Sequence, residues 1–209
     1  YYELYESGYS DVNWKNEINK TQIKNIFLNF NSDLFGTGRL DFRLIDNYTY
    51  FSLHSEFNSL VPKVSQVNST LEYLKIKWTK EFKFGNFALD NTFLYQIVNQ
   101  DGDYLNVPKF ITRNTFYYSN TILKGAMFFQ TGISFKYFSK YFSNEYNPLI
   151  SSFHVQTDKK IGGFPVIDLF VNAKIQQTRL FLKAEHFNST FTGNNFYSSP
   201  AYPYRDFII

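Results

Sequence analysis

The chain has 209 residues, no cysteine and a formal net charge of +3. The absence of cysteine excludes disulfides and Cys-bound metals, and the small, dispersed charge argues against a nucleic-acid partner. Aromatic residues make up 21% of the chain, yet the mean hydropathy is −0.33 and no apolar run approaches the roughly 18 residues of a membrane helix. Aromatic enrichment of this kind is typical of strands, in soluble β proteins and in transmembrane β-barrels alike.

Apolar and polar residues alternate along most of the chain. Because successive strand side chains point to opposite faces, this alternation predicts strands with one apolar and one polar face. Most of the predicted strands have about ten residues or more, which is long for a sandwich and suits a tilted membrane strand. In chain order they cover 22–31, 38–44, 70–84, 87–97, 109–119, 125–139, 166–175 and 179–187, and a ninth begins at Tyr204.

The stretch 166–187 shows the alternation most clearly. Its odd positions up to Ile175 are apolar, whereas its even positions include Asp168 and Lys174. The pattern restarts after Gln177–Thr178, again with aliphatic residues opposite charged ones. This segment is therefore a predicted hairpin whose apolar face needs either a protein core or a lipid tail.

The connections between the predicted strands alternate in length, which is typical of outer-membrane barrels with tight periplasmic turns and long extracellular loops. A strand-like stretch at 153–160 is assigned to a long loop, because counting it as a crossing would put the turn at 177–178 on the long-loop side. Nine crossings remain, whereas single-chain bacterial barrels have an even number. We therefore expect residues 1–209 to form a single domain, a partial antiparallel transmembrane β-barrel that is the C-terminal portion of a larger one. The short connections are 32–37, 85–86, 120–124 and 177–178, and the long ones are 54–69, 99–108, 141–165 and 188–203.

The charged residues of the polar face are the candidate functional residues. In a water-filled barrel they would line the lumen, set its charge selectivity and bind solutes by hydrogen bonds. In a filled barrel the same residues would form a paired network that passes nothing. Basic residues outnumber acidic ones by nine to four, which favours anions. The candidate lumen residues are Arg39, Asp41, Arg43, Lys75, Lys77, Asp90, Arg113, Lys136, Asp168, Lys174, Arg179, Lys183 and Glu185.

No catalytic, cofactor or metal site is predicted, and we expect the chain not to be an enzyme. His54, His154 and His186 lie far apart, and none has a metal-ligand spacing such as His-Glu-x-x-His. Ser55 follows His54 directly, but neighbouring strand residues point apart. His154 is placed in a loop, and His186 is expected on the outward face near the membrane interface.

Several segments resemble the "putative porin" family of Bacteroidota outer membranes. The resemblance extends over roughly Thr70 to Ile209 and is weaker in the earlier residues, and its motifs are structural signatures of strands and loops. The strand rich in Gly, Trp and Phe on which family members usually finish is missing. The segments are Leu105 to Tyr118, Phe129 to Ile133, Lys159 to Asp168, Phe181 to His186, Gly193 to Asn195, Ser199 to Pro203 and Arg205 to Phe207.

The resemblance implies a β-barrel in the cell outer membrane, in contact with lipid and without a cofactor. The barrel would pass solutes by passive diffusion or act as a subunit of a larger envelope or secretion complex, with other envelope proteins as partners. The alternative is a soluble β-sandwich binding module, for instance a lectin-like domain of a secreted protein. A sandwich buries its apolar face, whereas a membrane barrel exposes an apolar band about 25 Å tall. The two folds therefore differ in the exposure expected for the aliphatic residues Leu169, Val171, Leu180 and Leu182.

Overall fold

A computed structural model describes residues 3–6, 8, 13–56, 59–192 and 196–209. Its main element is an antiparallel sheet of eight strands, in which each strand pairs with its neighbours in sequence and the order is β8-β7-β6-β5-β4-β3-β2-β1. The strands are β1 (Gln22–Ser32), β2 (Gly36–Asp46), β3 (Leu71–Phe84), β4 (Phe87–Asn99), β5 (Phe110–Ile122), β6 (Met127–Phe138), β7 (Pro165–Ile175) and β8 (Thr178–Ala184).

The remaining elements are short. Among the described residues, no helix has the length and apolar character needed to cross a membrane. The helices are a 3-10 turn at Leu123–Gly125 and an α-turn at Ser189–Thr192. Three small sheets pair Leu4–Tyr5 with Trp14–Lys15, Tyr141–Phe142 with Lys160–Ile161, and Tyr197–Ser199 with Tyr202–Pro203. A four-stranded sheet contains Thr49–Glu56, Ser59–Gln66, Glu145–Asn147 and Ser152–His154.

The predicted turns lie between the expected strands, with boundaries shifted by a few residues. Gly85 has φ +61° in the two-residue connection between β3 and β4, a conformation that glycine adopts without the steric cost of a side chain. The last tight turn is at 176–177 and begins with Gln176 at φ +53°. All long connections leave the opposite end of the sheet, so the predicted separation of short and long connections is confirmed.

Eight of the nine predicted crossings are strands of this sheet. At the ninth, from Tyr204 onwards, the structure has an isolated bridge between Glu185 and Ile208 in place of a strand. The Glu185 amide donates to the Ile208 carbonyl at 2.8 Å, and the Ile208 amide returns a bond at 3.2 Å. The chain therefore meets the end of β8 in antiparallel register at Ile208.

The loop predicted at 54–69 is wrong, because this region contributes to a hairpin of two eight-residue strands. The hairpin contains Pro62, and proline cannot donate a ladder hydrogen bond. The strand Ser59–Gln66 is at the edge of its four-stranded sheet, where proline is tolerated. The stretch at 153–160 does stay outside the main sheet, as expected: Ser152–His154 belongs to the four-stranded sheet.

The all-β, antiparallel prediction is confirmed, whereas a closed barrel is not observed. Within the described residues, β1 and β8 are the two edges of the main sheet and do not pair with each other. The apolar face is open to its surroundings, with Val171 exposed by 37%, Leu180 by 57% and Leu182 by 65%. The buried apolar clusters lie instead under the long connections and at the loop end of the sheet, around Phe51 and around Leu71. This arrangement disagrees with a sandwich core.

Gly132 in β6 lies between Tyr117 of β5 and Phe170 of β7. A Cβ atom at this position would be 2.5 Å from the Phe116 carbonyl oxygen and 2.6 Å from the Tyr117 Cβ. We expect Gly132→Ala to lower the free energy of unfolding by about 1–3 kcal/mol through overpacking. The measurement is the melting temperature of the detergent-folded protein. Gln130→Ala, on the same strand and face, is the control, and equal melting temperatures for the two variants would contradict the prediction.

His154 is 3% exposed in the four-stranded sheet. Burial lowers the pKa of its imidazole, and the carboxylate of Glu145, with Oε2 3.8 Å from Nε2, opposes that shift only in part. The unfolded chain therefore binds more protons than the folded one just below the ordinary pKa of about 6.5, so stability is retained above that pH and falls as the pH decreases. We expect a lower melting temperature at about pH 5.5 than at about pH 7.5, and a smaller difference in His154→Gln. If the melting temperature of His154→Gln changed with pH as much as that of the unaltered protein, the pH dependence would have to come from other groups.

Candidate functional site

The strand register brings the predicted charged residues to one face of the main sheet. Asp41 of β2 is opposite Lys75 of β3, and Lys174 of β7 is opposite Arg179 of β8. Following the pairs from strand to strand places the candidates on β2 to β8 on this face, and Glu185 continues the face directly after β8. We call this surface, made by the thirteen candidate residues and the side chains between them, the charged face.

Asp168 is the centre of one ion-paired cluster on the charged face. Its carboxylate is 1% exposed and accepts a hydrogen bond from Lys136 Nζ at 2.5 Å, with Lys183 Nζ at 3.2 Å. The backbone amide of His186 donates to the other carboxylate oxygen at 3.1 Å. A buried carboxylate is stable only when charges and donors surround it, and these three groups meet that condition. Together with Glu185 and Arg205, which pair with each other at 3.2 Å, Lys136, Asp168 and Lys183 form what we call the Asp168 cluster.

A pocket of about 510 Å³ adjoins the Asp168 cluster at the end of the sheet that carries the long connections. Its charged lining residues are Lys136, Asp168, Glu185 and Arg205, and Tyr204 also lines it. The charged face therefore ends in a concave, water-accessible space near the long connections.

Asp41 is the centre of a second cluster. It is fully buried and receives two parallel hydrogen bonds of 2.8 Å from the Arg39 guanidinium. Lys75 Nζ is 3.8 Å from the same carboxylate. The Arg39 guanidinium also lies 4.7 Å from the centre of the Phe27 ring. Its N–H edge therefore binds the Asp41 carboxylate while its planar face lies over an aromatic ring.

Four basic residues of the charged face are exposed and make no ion pair within the described part of the chain. Since their charges are not neutralised by a neighbouring carboxylate, they give the face a positive excess. Asp90 likewise has no ion pair among the described residues. The four residues are Lys77, Arg113, Lys174 and Arg179.

A sheet with one charged and one exposed apolar face, long strands and one-sided long loops is the arrangement expected of a porin. The family model described as "Putative porin" matches residues 1–209. The chain belongs to this family. Membership supports a porin-like role, and the match includes residues 1–69, in which the resemblance is weaker. Comparison with curated proteins and with solved structures gave no significant match.

Two charged residues of this porin-family chain that belong to the same face were not among the candidates. Lys83 Nζ lies 2.9 Å from Glu81 Oε2, and the Tyr117 hydroxyl donates to the other Glu81 oxygen. The signal was present in the sequence, since both residues continue the alternation of Lys75 and Lys77 along β3. Arg205, the partner of Glu185, could not be found in this way because it lies beyond the regular strands.

The position predicted for His186 is wrong. It was expected outward at the membrane interface, but it is 2% exposed and its ring lies 5.1 Å from that of Phe196 and 5.3 Å from that of Tyr204. The physical reason is its backbone: φ is +52°, which turns the chain out of the strand and ends the alternation after Glu185. Gly193 to Asn195, one of the segments that carried the resemblance, lies outside the described residues.

Metal binding finds no support in the part of the chain that the structure describes. No group of three or more His, Asp or Glu side chains comes together there in a way that could hold an ion. His54 Nε2 is instead 3.0 Å from Ser52 Oγ and 3.2 Å from Ser65 Oγ. Ser55, its neighbour in sequence, does not belong to that group.

Replacing Asp168 by Asn should destabilise the porin-family fold. Lys136 would then lose its only ion-pair partner in the described residues, and Lys183 would keep only Glu185, so we expect a loss of about 1–3 kcal/mol from these partly exposed pairs. Partial exposure keeps the loss below that for a fully buried pair. The measurement is the melting temperature in detergent.

Asp90→Asn is the matched control, because it makes the same change of charge on the same face without breaking an ion pair in the described residues. We expect its effect to stay within about 0.5 kcal/mol. Equal losses for Asp168→Asn and Asp90→Asn would show that net charge, rather than the Asp168 cluster, determines the stability of this face.

Proposed function

We propose that this chain forms part of an outer-membrane β-barrel through which small solutes diffuse passively, with the charged face toward an aqueous lumen and the opposite face toward lipid. The observation that carries the proposal is the complete separation of the candidate residues from the apolar side of the sheet by the strand register. Family membership supports the same role.

Lipid is the proposed partner of the apolar face. Leu28 near one edge is 67% exposed, Ile133 in the middle is 48% exposed and Leu182 near the other edge is 65% exposed. An apolar surface that continues across a whole sheet is far larger than the few hundred Å² that soluble monomers leave open to water. Hydrocarbon satisfies this face without a second layer of protein.

Two polar groups on the apolar face also fit a membrane. The Trp78 indole nitrogen donates to the Phe35 carbonyl at 2.7 Å, and the Lys80 ammonium donates to the Asp33 carbonyl. Both carbonyls belong to the tight turn between β1 and β2. The polar tips therefore lie toward the end of the sheet while the apolar bodies of the side chains stay on the face, as expected near a membrane interface.

The positive excess of the charged face favours anionic solutes. Fixed cationic side chains along an aqueous path lower the electrostatic energy of anions and raise that of cations. In our proposal the attraction of anions comes mainly from the four basic residues whose charges lack a neutralising partner in the described residues. They are Lys77, Arg113, Lys174 and Arg179.

A second candidate is a barrel subunit of an envelope or secretion complex that conducts nothing. The Asp168 and Asp41 clusters favour it, since their carboxylates are satisfied by protein groups and need no solute. Neither candidate involves catalysis. Although His54 contacts two serine hydroxyls, no carboxylate orients its ring in the described part of the chain, so the base of a hydrolytic triad is incomplete.

Single-channel recording on the full-length protein in planar bilayers tests the channel. We expect stepwise conductance and, across a KCl gradient, a reversal potential of the sign for anion selectivity. Lys174→Gln combined with Arg179→Gln should move this potential toward zero, because two unneutralised charges are lost.

Lys15→Gln combined with Lys124→Gln removes two exposed charges outside the charged face and should leave the potential unchanged. Protein that is inserted and folded but shows no conductance would contradict the channel and favour the subunit of a complex. An equal change of potential in both double variants would contradict the lumen position of the charged face.

A further inference from the structure

Three connections meet around a pocket of about 530 Å³ at the loop end of the molecule. This volume lies within the range of about 300–1,000 Å³ that is usual for small-molecule sites. Asn106 comes from the connection between β4 and β5, a second group comes from residues 141–153, and a third from the hairpin at 197–203. The lining residues are Asn106, Tyr141, Ser143, Asn144, Tyr146, Phe153, Ser198, Ser199 and Tyr202.

Aromatic rings form part of the pocket wall. Tyr146 lies edge-on against Phe153, with ring centres 5.4 Å apart, and edge-on against Tyr202 at 5.9 Å. Such contacts fix the rings while leaving surface free: Tyr202 is 44% exposed and Phe153 is 52% exposed. The wall therefore offers rigid apolar surface to a ligand that has an apolar face of its own.

The polar groups of the pocket include one unused donor and one unused acceptor. The amide nitrogen of Asn106 and the amide oxygen of Asn144 are buried and make no hydrogen bond among the described residues. Leaving such a group unpaired costs about 1–3 kcal/mol, so native structures seldom do so without a reason. One donor together with one acceptor is the complement of a hydroxyl group, which both accepts and donates.

Other polar groups in the pocket are already in use. Ser199 Oγ donates to the Asn144 carbonyl at 3.0 Å, and Ser198 Oγ donates to the Tyr202 carbonyl at 3.3 Å. The first bond ties the hairpin at 197–203 to the 141–153 segment, and the second lies within the hairpin. Two of the three connections around the pocket are therefore joined by a side-chain-to-backbone hydrogen bond.

None of the lining residues carries a charge, in contrast to the pocket over the Asp168 cluster, with which this pocket shares Ser198. We propose that the pocket binds a neutral carbohydrate unit, with the C–H face of a sugar ring on the tyrosine wall and its hydroxyl groups toward the Asn106 and Asn144 side chains. The site goes beyond the proposed channel: it would hold uncharged sugars beside the loop end of a charged path, and it does not depend on conduction.

Isothermal titration calorimetry on the full-length protein in detergent tests the site without a membrane. The probes are the neutral trisaccharides maltotriose, cellotriose and xylotriose, with trigalacturonic acid as the anionic comparison. We expect saturable binding of at least one neutral probe and weaker binding of the anionic one. Because the readout is binding and not current, a failed channel and a failed sugar site give different results.

Tyr202→Ala and Asn144→Ala should each weaken binding by about tenfold, through loss of a stacking surface and of a hydrogen bond to the sugar. Tyr202 is largely exposed and the Asn144 side-chain oxygen makes no bond in the described structure, so both variants should fold normally. Phe191→Ala, which removes another exposed ring at the same end outside the pocket, is the control and should bind like the unaltered protein.

The proposal is overturned if no neutral probe binds saturably at millimolar concentration. It is also overturned if the anionic trisaccharide binds more tightly than the neutral ones, or if folded Tyr202→Ala binds as well as Phe191→Ala. Should Asn144→Ala fail to fold, the comparison of Tyr202→Ala with Phe191→Ala decides alone.

Discussion

Strand register is the constraint on which the rest of this structure depends. A slip of one residue in any pair would move a whole set of charged side chains from one face of the sheet to the other. Asp41 and Asp168 make such a slip costly, since each is buried among cations supplied by its own or neighbouring strands. The two clusters therefore lock the register at opposite sides of the sheet, and the separation of the faces follows from it.

The same constraint explains why so much could be read from the sequence. The alternation has a period of two, and residues such as Asp168, Lys174 and Arg179 keep to it, so their common face follows from local pattern alone. The tight connections could be predicted because polar or glycine-containing residues interrupt the alternation there. The charged face is thus encoded in short stretches of sequence, without reference to the three-dimensional fold.

The features that the sequence did not predict lie where the two-residue alternation of apolar and polar side chains ends. The hairpin containing Pro62 was missed because its place at a sheet edge depends on partners from residues 145–154, far away in sequence. His186 was misplaced because its own positive φ turns the chain out of the strand and ends the alternation at that residue. Asn106 and Asn144 line one pocket only because separate connections fold over the same end of the sheet, and no spacing in the sequence indicates this.

The open edges of the main sheet have a consequence for how the protein reaches its site. Ten of the eleven residues of β1 are exposed, and the outer side of this strand has no ladder partner in the described structure. In hydrocarbon, each unpaired backbone group costs several kcal/mol, so the free edge of a strand this long forbids partition into lipid on its own. In the proposed barrel, edge pairing and membrane insertion would therefore proceed as one coupled event, in which the sheet enters the bilayer only as its edge hydrogen bonds are completed.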